Sequence, residues 1–228
     1  MKPEIGKTYL NGIPHNEKEI SFQHPAIKGI YANVQEAILK EGLNIPNSAQ
    51  TASLVYDAFQ NKEGQFESEI IKTLKNNWFW EFTGNLYLQK GKGDVQGGVI
   101  VQYNPEIKNR KIIMDRSSLT KKLESNDSNI KFVPFGFKIG EQSIKDLEKN
   151  PYIIARYGEE GAEKIAKVAY EFKNKPYIWS FDSVDEEKVR VSALVDYWVV
   201  DGLGVGGDDF GDGNRGLAFG VFKRSEKK

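Results

Sequence analysis

The stretch WFWEFTGNLYLQ, residues 78–89, decides the fold class, because there the sequence changes from helical to strand-forming periodicity. Alternation on a strand places Trp78, Trp80 and Phe82 on one face and Phe79 on the other. VQGGVIVQYN (95–104), RKIIMD (110–115) and IKFVPFGFKI (130–139) follow with the same character, separated by KGKGD, NPEIKN and SSLTKKLESNDSN. Apolar runs bounded by such turn clusters predict an antiparallel meander of four strands. Gly97–Gly98 inside the second run predicts a bulge or a close backbone approach. The last separator has room for a short helix, with Ser117 or Ser118 as its N-cap.

Upstream, Ile27, Ile30, Tyr31, Val34 and Ile38 recur at helical spacing and Gly42 supplies a stop. Asn47 and Gln50 stand in capping-box positions before the stripe Ala52, Val55, Tyr56 and Phe59. Phe66, Ile70 and Leu74 predict a third helix. Downstream, residues 141–173 read as a helical pair interrupted at Pro151. YIWSF (177–181), KVRVSALVDYWVV (188–200) and GLAFGVF (216–222) then read as strands. In the middle one Val191, Val195 and Tyr197 are expected to face the helices, with Arg190, Ser192 and Asp196 on the other side.

Three N-terminal helices, a run of strands, a central helical pair and a second run of strands predict an α+β fold with a mostly antiparallel sheet. No composition break resembles a linker, so residues 1–228 are expected to form one domain. Residues 1–25 contain Pro3, Pro14 and Pro25 and show no period, so they read as an extended N-terminal arm. Its apolar residues, among them Leu10, Ile13 and Phe22, predict packing across the domain or onto a neighbouring copy in a homo-oligomer.

Composition excludes more than it identifies. The 228 residues are 39% apolar and contain no cysteine, which removes disulfides, Cys-ligated metals and a thiol nucleophile. His15 and His24 are the whole histidine supply, and no GxSxG names a nucleophilic serine. Lys+Arg and Asp+Glu are 32 each, and only six of the basic residues are Arg, which disfavours nucleic acid as a partner. No apolar run reaches the roughly 18 residues of a membrane span, and the first residues lack a signal-peptide core. A cytoplasmic protein without a membrane partner is the expectation.

The candidate sites are two. The first is DGLGVGGDDFGDGNRG, residues 201–216, read as a long glycine-rich loop with seven Gly and four Asp. Asp201, Asp208, Asp209 and Asp212 could offer oxygen ligands to a divalent cation such as Ca²⁺ or Mg²⁺, with Arg215 as a competing internal cation. The pattern fails the EF-hand template, because Phe210 and Phe219 occupy ligand positions. The second is the aromatic pair Trp78 and Trp80, read either as a stacking platform for bases or sugars or as part of a strand buried on both faces. The buried reading is favoured, since the charge distribution offers no nucleic-acid groove. No catalytic residues are assigned. The sequence favours a non-enzymatic module that binds a small molecule or a protein, over a metal-assisted hydrolase built on residues 201–216 or a single-strand or sugar binder built on 78–82.

Overall fold

The computed structural model describes residues 8–91, 97–197, 201–211 and 216–222. In chain order the elements are β1 (Thr8–His15), β2 (Lys18–His24), β3 (Ile27–Gly29), α1 (Tyr31–Lys40), α2 (Ser48–Gln60), α3 (Gln65–Leu74), β4 (Trp78–Leu88), β5 (Gly98–Tyr103), β6 (Glu106–Lys108), β7 (Lys111–Ile113), α4 (Arg116–Glu124), β8 (Ile130–Pro134), β9 (Gly140–Glu141), α5 (Ile144–Lys149), α6 (Pro151–Tyr170), β10 (Tyr177–Trp179), β11 (Lys188–Tyr197), β12 (Gly202–Asp209) and β13 (Gly216–Ala218). This is the α+β class expected, with helical segments set apart from a mostly antiparallel sheet.

The main sheet has nine strands, in the order β3-β13-β4-β11-β12-β10-β9, with β5 pairing β4 and β8. β4 is its hub. One edge of β4 pairs with β11 from Phe79 to Tyr87, and the other is shared by β13 near Trp78 and by β5 from Thr83 to Leu88. Only the β4–β13 and β10–β12 pairs are parallel among the described strands of this sheet.

Helices cover both faces. On one, α2 and α6 pack Val55, Ala58 and Ile165 into the core that holds Phe79, Tyr87, Leu194 and Val205. On the other, Tyr31, Val34 and Ile38 of α1 cover Trp80, Phe82, Val191 and Ala193. α4 adds Leu119 over Leu86, Leu88 and Ile100. β4 is therefore buried on both sides, its polar Glu81, Thr83 and Asn85 included. The capping box of α2 is present: Gln50 N donates to Asn47 Oδ1 at 2.9 Å, and Asn47 N donates to Gln50 Oε1 at 3.0 Å. Gly98 serves a close approach, because a Cβ there would lie 2.3 Å from the Val133 carbonyl oxygen.

Several expectations are corrected. Residues 8–24 form the β1–β2 hairpin and not an extended arm, while their expected packing across the domain is present, with Leu10, Ile13 and Phe22 fully buried in the core of α2 and α6. Ile27 belongs to β3 and not to α1, because residues 216–218 pair with it, a partner invisible to local periodicity. α4 is capped by Asp115, whose carboxylate accepts from Ser118 N at 2.8 Å, and not by Ser117 or Ser118. Residues 202–209 are a buried strand where a glycine-rich loop was expected. In β11 the face carrying Arg190, Ser192 and Asp196 is the one turned to α2 and α6, since Leu194 shares it and lies in their core. Val191 faces α1, while Val195 is only half-buried.

Candidate binding site

The end of the sheet where β4, β11, β12 and β10 converge is built on a buried polar brace. Arg156 of α6 and Glu81 of β4 are both fully buried and form an ion pair. Arg156 Nη1 donates to the Gly206 carbonyl at 2.9 Å. Tyr157 Oη and Ser48 Oγ donate to the same Glu81 oxygen, at 3.0 and 3.2 Å. Burial pushes the Glu81 carboxyl upward against the pull of Arg156. For Arg156 burial works against the charge, but Tyr157, Tyr152 and Glu81 outweigh it and its pKa is raised. The guanidinium keeps its charge, because it does not deprotonate in proteins, and three donors meet at one Glu81 carboxylate oxygen. The brace ties α2, β4, α6 and β12 into one rigid unit.

Hydroxyls carry the network toward the sheet end. Tyr152 Oη donates to Asn85 Oδ1 at 3.0 Å, and Asn85 Nδ2 donates to Ser192 Oγ at 2.9 Å. Tyr87 Oη donates to the Gly207 carbonyl at 2.8 Å and lies 2.9 Å from Ser180 Oγ. Gly207 is required here, since a Cβ would fall 1.7 Å from the Tyr152 hydroxyl. Ser180 is half-exposed, so the network reaches the surface there.

Above it stands a ladder of rings and cations. Phe181 meets Tyr87 edge-on at 5.0 Å between centroids. The Arg190 guanidinium lies 3.8 Å from the centre of the Phe210 ring and 5.6 Å from that of Phe181, and Lys188 Nζ lies 5.7 Å from Phe181. A guanidinium held over a ring face keeps its in-plane N–H groups for hydrogen bonding. One of these, Nη1, donates to the Val189 carbonyl at 2.8 Å. Phe210 itself is 67% exposed. Asp208, beside the ladder, has its carboxyl pushed up by burial and by Asp209, with Arg190 and Arg156 opposing.

The sequence candidates are scattered by the fold. Trp80 is fully buried and its indole Nε1 donates to the Gly29 carbonyl at 3.0 Å, so it offers no face to a ligand. Trp78 is half-buried beside it. Asp201 stands at one end of β12, 3.3 Å from Lys173, while Asp208 and Asp209 stand at the other. Seven steps along the strand separate Asp201 from Asp208, about 23 Å, so they do not share a coordination shell. Asp209 Oδ1 accepts from Gly211 N at 2.6 Å. Asp212 and Arg215 lie outside the described residues. Among the described residues, no three His, Cys, Asp or Glu side chains are grouped to hold a metal. No helix among them is long and apolar enough to cross a membrane.

Glu81, Arg156, Tyr87, Phe181, Arg190 and Phe210 were not singled out from sequence. The signals for the first two were present: a lone Glu within WFWEF and a lone Arg within IIARY, each charged inside an apolar run. Arg190 and Phe210 become neighbours only because β11 and β12 pair.

Comparison with known proteins places the fold. No family model and no curated protein matches the chain. A solved structure described as the accommodation of massive sequence variation in Nanoarchaeota by the C-type lectin fold is similar over 86% of this chain and 97% of its own, with a TM-score of 0.58 and 19% identity. The fold is thus C-type lectin-like.

Proposed function

We propose that this chain is a non-enzymatic binding module whose contact surface is the Phe181, Lys188, Arg190 and Phe210 end of the sheet. The observation that carries the reading is Phe210, 67% exposed yet held against Arg190 at 3.8 Å. A large ring kept in solvent on a fixed support meets a partner with little further loss of side-chain freedom. Arg and aromatic residues are also the types that dominate binding energy where they are central to an interface. The buried brace beneath supplies rigidity, and its titratable groups are too deeply enclosed to act on a substrate. The Nanoarchaeota structure adds support, because its C-type lectin fold is described as accommodating massive sequence variation.

The test is a screen of the whole chain against a displayed peptide library and a glycan array, run in parallel with Phe210→Ala and Arg190→Ala. Wild type is expected to select ligands that each variant binds about 30-fold more weakly, equivalent to about 2 kcal/mol. Both variants should keep the wild-type melting temperature. Ligands retained equally by both variants would move the site elsewhere.

A further inference from the structure

Arg190 carries a charge that its own chain leaves uncompensated. Its Nη1 donates to the Val189 carbonyl at 2.8 Å, while Nε is shut off from solvent and has no hydrogen-bond partner. Among the described residues no carboxylate stands within ion-pair distance of the guanidinium. The acids around it are otherwise engaged or held off. Glu187 pairs with Arg116 at 2.7 Å, Glu186 reaches Lys188 only at 4.0 Å, and Asp209 Oδ1 accepts from Gly211 N. Asp208 senses the Arg190 charge but forms no ion pair with it. A guanidinium stays ionised, and an enclosed donor without a partner carries its full desolvation cost until an acceptor arrives.

We infer that this surface takes an acidic peptide: an Asp or Glu carboxylate of the partner pairs with Arg190, and an apolar side chain beside it packs on the exposed ring of Phe210. The carboxylate preference rests on the binding surface proposed above. Nε–H and Nη2–H form the edge of a guanidinium that receives a carboxylate in two parallel hydrogen bonds, and Nε is the donor of that edge left unpaired. One hydrogen bond ties the guanidinium to the chain, so a rotation about its terminal bonds brings the edge to the partner. Lys188, half-exposed and over the same Phe181 ring, adds a second positive charge. Two half-exposed cations alone hold a carboxylate weakly, because water and salt screen them. Phe210, 67% exposed, supplies the apolar contact that a peptide side chain meets and a small free carboxylate does not.

The experiment is fluorescence anisotropy of the whole chain with three matched sets of labelled flexible peptides, carrying Glu, Gln or Lys beside Phe or Leu, and with glutarate as competitor. Wild type should hold the Glu peptides at least about tenfold tighter than the Gln peptides, the worth of one charge-assisted pair. Raising salt from about 50 to about 300 mM should narrow that gap. Arg190→Gln should reduce it below about threefold, and Asp208→Asn, which removes a competing carboxylate, should widen it. The Glu-to-Gln comparison on wild type needs no variant, so it reads the preference even where a variant fails to fold. Equal affinity for Glu and Gln peptides, lost in Phe210→Ala, would overturn the carboxylate preference and leave the binding surface standing. Binding that survives both Phe210→Ala and Arg190→Gln would overturn the surface as well. Asp182, Asp185 and Glu186 stand exposed just before β11, and a preference for the Lys peptides would assign the partner to those acids and overturn the inference. Glutarate binding as tightly as the Glu peptides, or no binding of any peptide, would overturn it too.

Discussion

Replacing Arg156 by Met removes the guanidinium from a site where Glu81 has no access to water. Glu81 keeps its hydrogen bonds from Tyr157 and Ser48 but loses the charge that offsets its burial. Breaking a buried pair by removing one partner costs about 3–5 kcal/mol, because the remaining charge is stranded. At about 2–4 °C per kcal/mol for a chain of this length, the melting temperature should fall by about 6–20 °C at pH 7. The double variant Glu81→Gln, Arg156→Met should recover at least half of that loss, since a neutral amide oxygen still accepts from Tyr157 and Ser48. The loss in the single variant should also shrink on acidification. Without Arg156 the folded-state pKa of Glu81 rises further above its ordinary 4.5, so the folded protein takes up a proton that the unfolded one releases. Stability relative to wild type therefore improves as pH falls through that raised value. Thermal and urea unfolding of wild type and both variants at pH 7 and pH 5 measures all of this. A single-variant cost under about 1 kcal/mol, or a double variant no more stable than the single, would refute the stranded-charge account.

Gly207→Ala would drive Tyr152 out of the network, because its hydroxyl lies 1.7 Å from the added methyl position, and should cost more than about 2 kcal/mol in urea unfolding. Leu194→Asp should cost more than about 3 kcal/mol, since it buries a carboxylate in the core of α2 and α6. Val195→Asp, at a half-buried position, should be clearly milder, and a reversed order would invalidate the facing assigned to β11.

What was legible in the sequence depended on whether its signal was local. The capping box of α2, the stripe of α3 and the two-faced burial of β4 all arise from residues within a dozen positions of one another, and all are present. β12 reads as a loop in the sequence because glycine contributes no hydrophobic alternation. Its inward positions Leu203 and Val205 are too few to show the period, and Gly207 is inward only because Tyr152 fills the space. The polar face of β11 was assigned to the wrong side for a related reason. Arg190 packs against rings and Ser192 accepts from Asn85, partners that come from distant segments. The surface proposed for binding is not legible in the sequence, since Phe181, Arg190 and Phe210 are joined by strand pairing and not by spacing.

The position of β13, between β3 and β4, has a consequence for synthesis. The hub strand β4 is complete once Leu88 has been made, but β11 and β13, which pair with it on its two edges, come much later. At about 5–20 residues per second, the roughly 130 residues from Leu88 to Ala218 take about 7–26 s to make. Until β11 is made at residues 188–197, an eleven-residue, nearly uncharged aromatic strand has only β5 of its described partners beside it. Exposed strands of that kind are the usual seeds of aggregation. The yield of folded protein should therefore be governed by how β4 is shielded on the ribosome, and slower elongation after residue 88 should lower it.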